Sequence, residues 1–145
     1  MQVDFYHLTR QPLERVLPRI AERVVEAGGR LLIVAAGEKQ RAAIDALLWN
    51  PPESFLPHGQ AGAGRDTLQC VLIAGEAVAG NGARNVALAD GQWRDEALGF
   101  DRAFHLFDED RIAEARAAWK ALAGRDGVER RYWKQNEQGR WEQAA

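Results

Sequence analysis

The sequence predicts an α/β protein built as three layers, α/β/α, around a mostly parallel sheet. Three observations lead there. Gln2 to Leu8 alternates Val3, Phe5 and His7 against Gln2, Asp4 and Tyr6, the period of a strand. Arg30 to Ala36 carries the apolar run LLIVAA between glycines, too short for an independent helix and typical of a strand buried on both faces. Each of these is followed by helical periodicity, and the order strand, helix, strand, helix calls for parallel strands joined by right-handed crossovers.

The first helix is expected from about Pro12 to Glu26, where Leu13, Leu17, Ile20 and Val24 repeat at helical spacing and Gly28-Gly29 offers a left-handed stop. Pro18 either kinks it or opens its main part. The second helix follows Gly37. Ile44, Leu47 and Leu48 form its apolar side, Glu38 to Arg41 its polar first turn, and Pro51-Pro52 end it at Trp49 and Asn50. Phe55, Leu56 and Pro57 then set an apolar cluster beside Trp49 on an irregular segment, either a lid on the core or a docking patch for another protein. After a loop ending near Arg65, Leu68 to Ala74 reads as a third strand, Gly75 to Arg84 as a glycine-rich turn, and Asn85 to Ala89 as a fourth strand. One helical turn is expected between Asp90 and Phe100, and another strand over Arg102 to Phe107. Asp108, Glu109 and Asp110 supply a cap and a negative first turn for a last helix running to about Ala123, with Ile112, Ala115, Trp119 and Leu122 as its stripe. Residues 1–127 read as one domain, and 128–145 as a tail compatible with two short strands around Asn136 to Gly139 or with partial disorder.

Composition bounds the function. With 46% hydrophobic and 28% charged residues and a formal net charge of -2, the chain reads as soluble and globular, not as a globally basic nucleic-acid binder. The charge is polarised. Arg111 to Trp141 holds eight basic and four acidic residues, against eleven basic and sixteen acidic over residues 1–110. An acidic ligand suits that basic end. One cysteine, Cys70, rules out an internal disulfide. The N-terminus lacks an export pattern and no apolar run reaches membrane-spanning length, so a cytoplasmic protein is expected.

The alternation of strand and helix is Rossmann-like, but the glycines do not make a nucleotide site. AGAGRDT has no lysine before Thr67, AGNGARN lacks a third glycine, and neither follows the first strand. His7, His58, His105 and Cys70 lack metal-ligand spacing, and Ser54 is not flanked by the glycines of a nucleophile elbow. No cofactor, metal or catalytic residue is expected. Arg116, Trp119 and Lys120, at i, i+3 and i+4, place two cations and an indole on one helical face. The bland reading is a core tryptophan with a solvated flank. The sharper one is capture of a peptide that ends in an aromatic residue and a free carboxylate.

FYHL at Phe5 to Leu8, EKQ at Glu38 to Gln40, the helix end Asp45 to Trp49, PESFLPH at Pro52 to His58 with Gly62 and Gly64, and RAAWK at Arg116 to Lys120 form a set, with YWKQ and GRW near the end. In these the chain resembles, over essentially its whole length, the chi subunit of bacterial DNA polymerase III holoenzyme. The resemblance implies a non-catalytic accessory protein that touches DNA only indirectly. One surface, at Trp49, Pro52 and Phe55, would bind the psi subunit of the clamp-loader complex or, in some bacteria, a repair helicase. The opposite pocket would bind the acidic, phenylalanine-ended tail of single-stranded DNA-binding protein through Arg116, Trp119, Lys120 and Arg111. The family commonly has tyrosine where Trp119 stands, and at a further basic position of the pocket this chain has Ile112, with Arg111 beside it. Two other readings stand beside the adaptor. One is direct binding of single-stranded nucleic acid by Trp133, Trp141 and the basic tail. The other, an enzyme on an α/β scaffold, lacks candidate residues.

Overall fold

The computed structural model describes residues 1–49 and 58–145. Pro52 and Phe55, and the proline stop of the second helix, lie outside the described residues.

The first strand, β1 (Gln2–His7), leads into α1 (Leu13–Glu26), then β2 (Leu31–Val34) and α2 (Glu38–Leu48). Next come β3 (His58–Gln60), β4 (Val71–Ala74), β5 (Asn85–Leu88) and β6 (Arg102–Phe107), followed by α3 (Ile112–Ala121), β7 (Glu129–Gln135) and β8 (Trp141–Gln143). Among the described residues these eight strands make one sheet in the order β3-β4-β2-β5-β6-β1-β7-β8, parallel at every junction except β7–β8.

The sequence of β2 explains its place. All four residues are buried, and they alternate between two cores. Leu32 and Val34 join Val3, Phe5, Val86 and Phe107 under α3, which contributes Ala115, Ala118 and Leu122. Leu31 and Ile33 join Phe104 and Leu106 under α1 and α2, which contribute Val16, Leu17, Ile20, Ala21, Ile44 and Leu48. Helices on both faces complete the three layers. The connection from β4 to β5 has no helix. It crosses the face as an irregular segment bearing Ala77, Ala79 and Ala83, and the buried Asn81 pins it by donating to the carbonyls of Leu31 and Gln69.

Several boundaries differ from expectation. Leu68 is not in a strand. It ends a 3₁₀ turn, Asp66–Leu68, with its side chain exposed, and β4 starts only at Val71. The edge strand β3 lies in what reads as a loop. The last helix begins as a 3₁₀ turn, Glu109–Arg111, capped by the Asp108 carboxylate accepting from the Asp110 amide. Beyond these differences, β7 and β8, on either side of residues 136–140, add the tail to the sheet, with Gln2 to His7 in register with Glu129 to Lys134.

Pro18 lies inside α1. Without an amide it cannot close the turn onto the Glu14 carbonyl, a cost of about 3 kcal/mol in a helix interior. Pro18→Ala is expected to stabilise the protein by about 1 to 3 kcal/mol, read from the midpoint of urea unfolding. An unchanged or lower midpoint would mean that the missing hydrogen bond at Pro18 is offset by other contacts of α1.

Candidate functional site

At the ends of the parallel strands, where this class of sheet binds phosphates, several backbone amides are already bonded by the chain's own side chains. The amides of Arg10 and Gln11, between β1 and α1, both donate to Oε1 of Gln135 on β7, at 3.1 and 3.0 Å. The Ala36 amide after β2 donates to Asp90 at 2.9 Å, and Arg41 donates to the carbonyls of Ala35 and Ala36. Burial pushes the Asp90 carboxyl up, but the Arg94 guanidinium and the amides of Ala36 and Gln92 outweigh it and hold the group below the usual carboxylate range. A resident carboxylate thus sits on the amide that a ligand phosphate would need. Among the described residues no group of three or more His, Cys, Asp or Glu is arranged to hold a metal ion, and no helix is long and apolar enough to cross a membrane.

The cation and indole face lies on α3. Ala115 and Ala118 are buried, and their small side chains let the helix settle closely on the sheet. Trp119 is thereby carried to the flank over β1 and β7. Its ring meets Phe5 at 5.3 Å and Tyr132 at 5.6 Å between centroids, nearly perpendicular to each. Arg130, two residues before Tyr132 on β7, lays its guanidinium over the indole, 3.9 Å from the centroid, and its Nη1 donates to the Trp119 carbonyl at 2.7 Å. That carbonyl is one of the last four of α3, which have no partner within the helix, and a cation there also suits the helix dipole. Arg116 and Lys120 stand exposed on the outer side of the same face.

Beneath this face runs a polar chain. His7, buried at the end of β1, bonds through Nε2 to Glu109 at 2.8 Å and through Nδ1 to the Tyr132 hydroxyl at 3.4 Å. The Glu109 carboxylate can only accept, so in the uncharged ring Nε2 carries the hydrogen and Nδ1 accepts from Tyr132. Burial raises the Tyr132 phenol above its ordinary value. Nearby Arg116 opposes this and Glu109 adds to it, so the hydroxyl keeps its proton at neutral pH.

The structure therefore gathers Arg116, Trp119 and Lys120 and adds Arg130, Tyr132 and His7, which sequence reasoning did not assign. Arg111 points elsewhere. It bonds Glu114 at 2.7 Å, and its stem packs on Gly91, where a β-carbon would stand 2.6 Å from Arg111 Cγ. With Arg10, Asp90 and Asp108 it lines a separate cavity of about 660 Å³ at the strand ends. Trp49 closes α2 with its side chain 61% exposed and its ring 4.7 Å from that of His58, whose Nε2 lies 3.2 Å from Asp45 Oδ1. The tail tryptophans lie on the sheet face opposite α3. Trp133 stacks beside Tyr6 and donates from its indole nitrogen to the buried Asp4, and Trp141 meets Tyr6 edge-on at 5.0 Å.

The model of a family described as DNA polymerase III chi subunit, HolC, matches residues 1–129. The chain belongs to the chi-subunit family. It is 42% identical over 53 residues to DNA polymerase III subunit chi of Escherichia coli (strain K12), an alignment covering 36% of this chain and 36% of that relative, so the matched part spans about a third of the relative's length. In this chi-family chain the family match ends at the first residue of β7, and Arg130, Tyr132 and Gln135 lie beyond it.

Proposed function

We propose that this chain is a non-catalytic, cytoplasmic accessory subunit of the replicative DNA polymerase. It links the clamp-loader complex, through psi, to the C-terminal tail of single-stranded DNA-binding protein. The observation that carries this reading is the face on α3, where an aromatic floor of Trp119 and Tyr132 is rimmed by Arg116, Lys120 and Arg130. The floor suits a terminal phenylalanine and the rim an acidic stretch with a free carboxylate. The second surface, for psi or alternatively a repair helicase, is the Trp49 end of α2, with Pro52 and Phe55 named by the family resemblance. Each contact is weak by itself. Tethering to a coat protein with several tails raises the effective concentration and makes the link durable without tight single sites.

The test is a fluorescence-anisotropy titration with a short acidic peptide ending in Ile-Pro-Phe, with Arg116→Ala, Lys120→Ala and Trp119→Ala proteins alongside. Binding is expected to weaken about tenfold or more for Trp119→Ala, which loses the aromatic floor, and several-fold for Arg116→Ala and Lys120→Ala, whose exposed cations act through screened charge, and to fall steeply with added salt. Arg111→Ala belongs in the same series. A loss there as large as for Arg116→Ala would move the peptide to the cavity at the strand ends. A wild-type protein that ignores the peptide but binds single-stranded DNA would favour the tail instead.

A further inference from the structure

The face on α3 has one feature that the proposed function does not use. The aromatic floor is covered. Arg130 rests its guanidinium on the Trp119 indole, while Phe5 and Tyr132 take up perpendicular contacts with the same ring. An aromatic side chain arriving from a peptide must take the place that the guanidinium holds. The cover is itself a cation, and of the kind best matched to a carboxylate.

We infer that Arg130 is the residue that reads the free C-terminus of the peptide, leaving the indole for the terminal carboxylate as the terminal aromatic ring takes its place on Trp119. The inference rests on the peptide reading of this face. The exchange is physically favourable. A guanidinium over a partly exposed indole is a weak contact, whereas the same planar fork against a carboxylate makes two parallel charge-assisted hydrogen bonds. It also requires little movement. Arg130 uses one of its five N–H groups on the Trp119 carbonyl, so the head can pivot about that 2.7 Å bond with other donors still free.

Arg116 and Lys120 are suited to a different task. Both are exposed on the outer side of the helix, where solvent and salt screen them, and they present charge to an acidic peptide body at no fixed distance. Arg130 is half-buried, rooted on a strand and tied to the Trp119 carbonyl, an anchor that it keeps when it leaves the ring. A fixed fork distinguishes a carboxylate from an amide of the same shape. Mobile surface cations respond mainly to total charge.

The experiment compares the free-acid peptide with the same peptide amidated at its C-terminus, on wild type, Arg130→Met, Arg130→Lys and Arg116→Ala. Methionine keeps an unbranched stem over the indole, and a thermal melt of each variant checks that it is folded. Wild type is expected to prefer the free acid by about tenfold or more. In Arg130→Met that preference should collapse to less than about threefold, with the amide bound about as well as by wild type because it has no carboxylate contact to lose. Arg130→Lys should keep part of the preference, having the charge without the fork. Arg116→Ala should weaken both peptides and leave their ratio near the wild-type value. A ratio in folded Arg130→Met equal to that of wild type overturns the inference while leaving the peptide site standing, and so does a wild type that binds both peptides equally. Failure of wild type to bind either peptide removes the site and this inference together.

Discussion

A chain ended at Gly127 is expected not to fold cooperatively. The segment it loses looks like an appendage in the sequence, but it supplies one of the two neighbours of the first strand. Without β7, the backbone of Gln2 to His7 has a partner only on its β6 side. Tyr132 leaves the ring cluster of Phe5, Phe107 and Trp119. Trp133 leaves Asp4, a carboxylate with 0% exposure that keeps Arg102 and Gln2 as donors. Gln135 leaves the Arg10 and Gln11 amides without their acceptor. Burial of each large ring contributes about 1.5 to 3 kcal/mol, and each stranded polar group costs about 1 to 3. Together these losses rival the roughly 5 to 15 kcal/mol that holds an ordinary domain folded. Urea titration followed by far-UV circular dichroism is the measurement. A truncated chain that melts cooperatively within about 1 kcal/mol of the full one would show that β7 and β8 only decorate a self-sufficient sheet.

Acid is expected to remove about 3 kcal/mol of stability through His105 alone. The ring has 0% exposure and is flanked by Phe5, Trp93 and Phe107, and neither nitrogen has a hydrogen-bond partner among the described residues. Burial holds its pKa down at about 4 from an ordinary 6.5, with Asp90 opposing the shift and Arg94 adding to it. The folded state therefore refuses a proton that the unfolded chain accepts. The contribution is complete above about pH 6.5, declines as the pH falls towards 4, and is gone below it. At 1.36 kcal/mol per unit, the shift corresponds to roughly 3 kcal/mol. His105→Leu should be less sensitive than wild type between pH 7 and 4 by about that amount in urea titrations. Asp90, whose carboxyl is held low, loses stability in the same direction at lower pH in both proteins, so the difference between them isolates the histidine. Parallel pH profiles would place the acid sensitivity elsewhere.

What could be read from the sequence depended on whether the signal was local. β2 and β6 were legible because LLIV and RAFHLF bury most of their residues and so remain apolar throughout. β3 was not, since His58, Gly59 and Gln60 carry no apolar alternation and pair only by backbone with β4. Leu68 misled for the opposite reason. It extends the apolar run before β4, yet the chain spends it on an exposed turn. At the site, the grouping of Arg116, Trp119 and Lys120 followed from helical spacing alone. Arg130, Tyr132 and His7 could not be added, because their place depends on a parallel register between strands more than 120 residues apart, which no local pattern encodes.

That register also sets the order in which the molecule can be assembled during synthesis. β1 leaves the ribosome before the other strands, but its two hydrogen-bonding neighbours are β6 and β7, so its backbone and the rings of Phe5 and Tyr6 wait until those strands have been made. β2, β3, β4 and β5 pair among themselves before β6 joins β5, and can come together earlier. Closing so distant a contact last is entropically slow. The face on α3 inherits this timing. Trp119 takes its position from Phe5 at one end of the chain and from Arg130 and Tyr132 at the other, so a nascent chain that has already made its helix still lacks the floor and its cover.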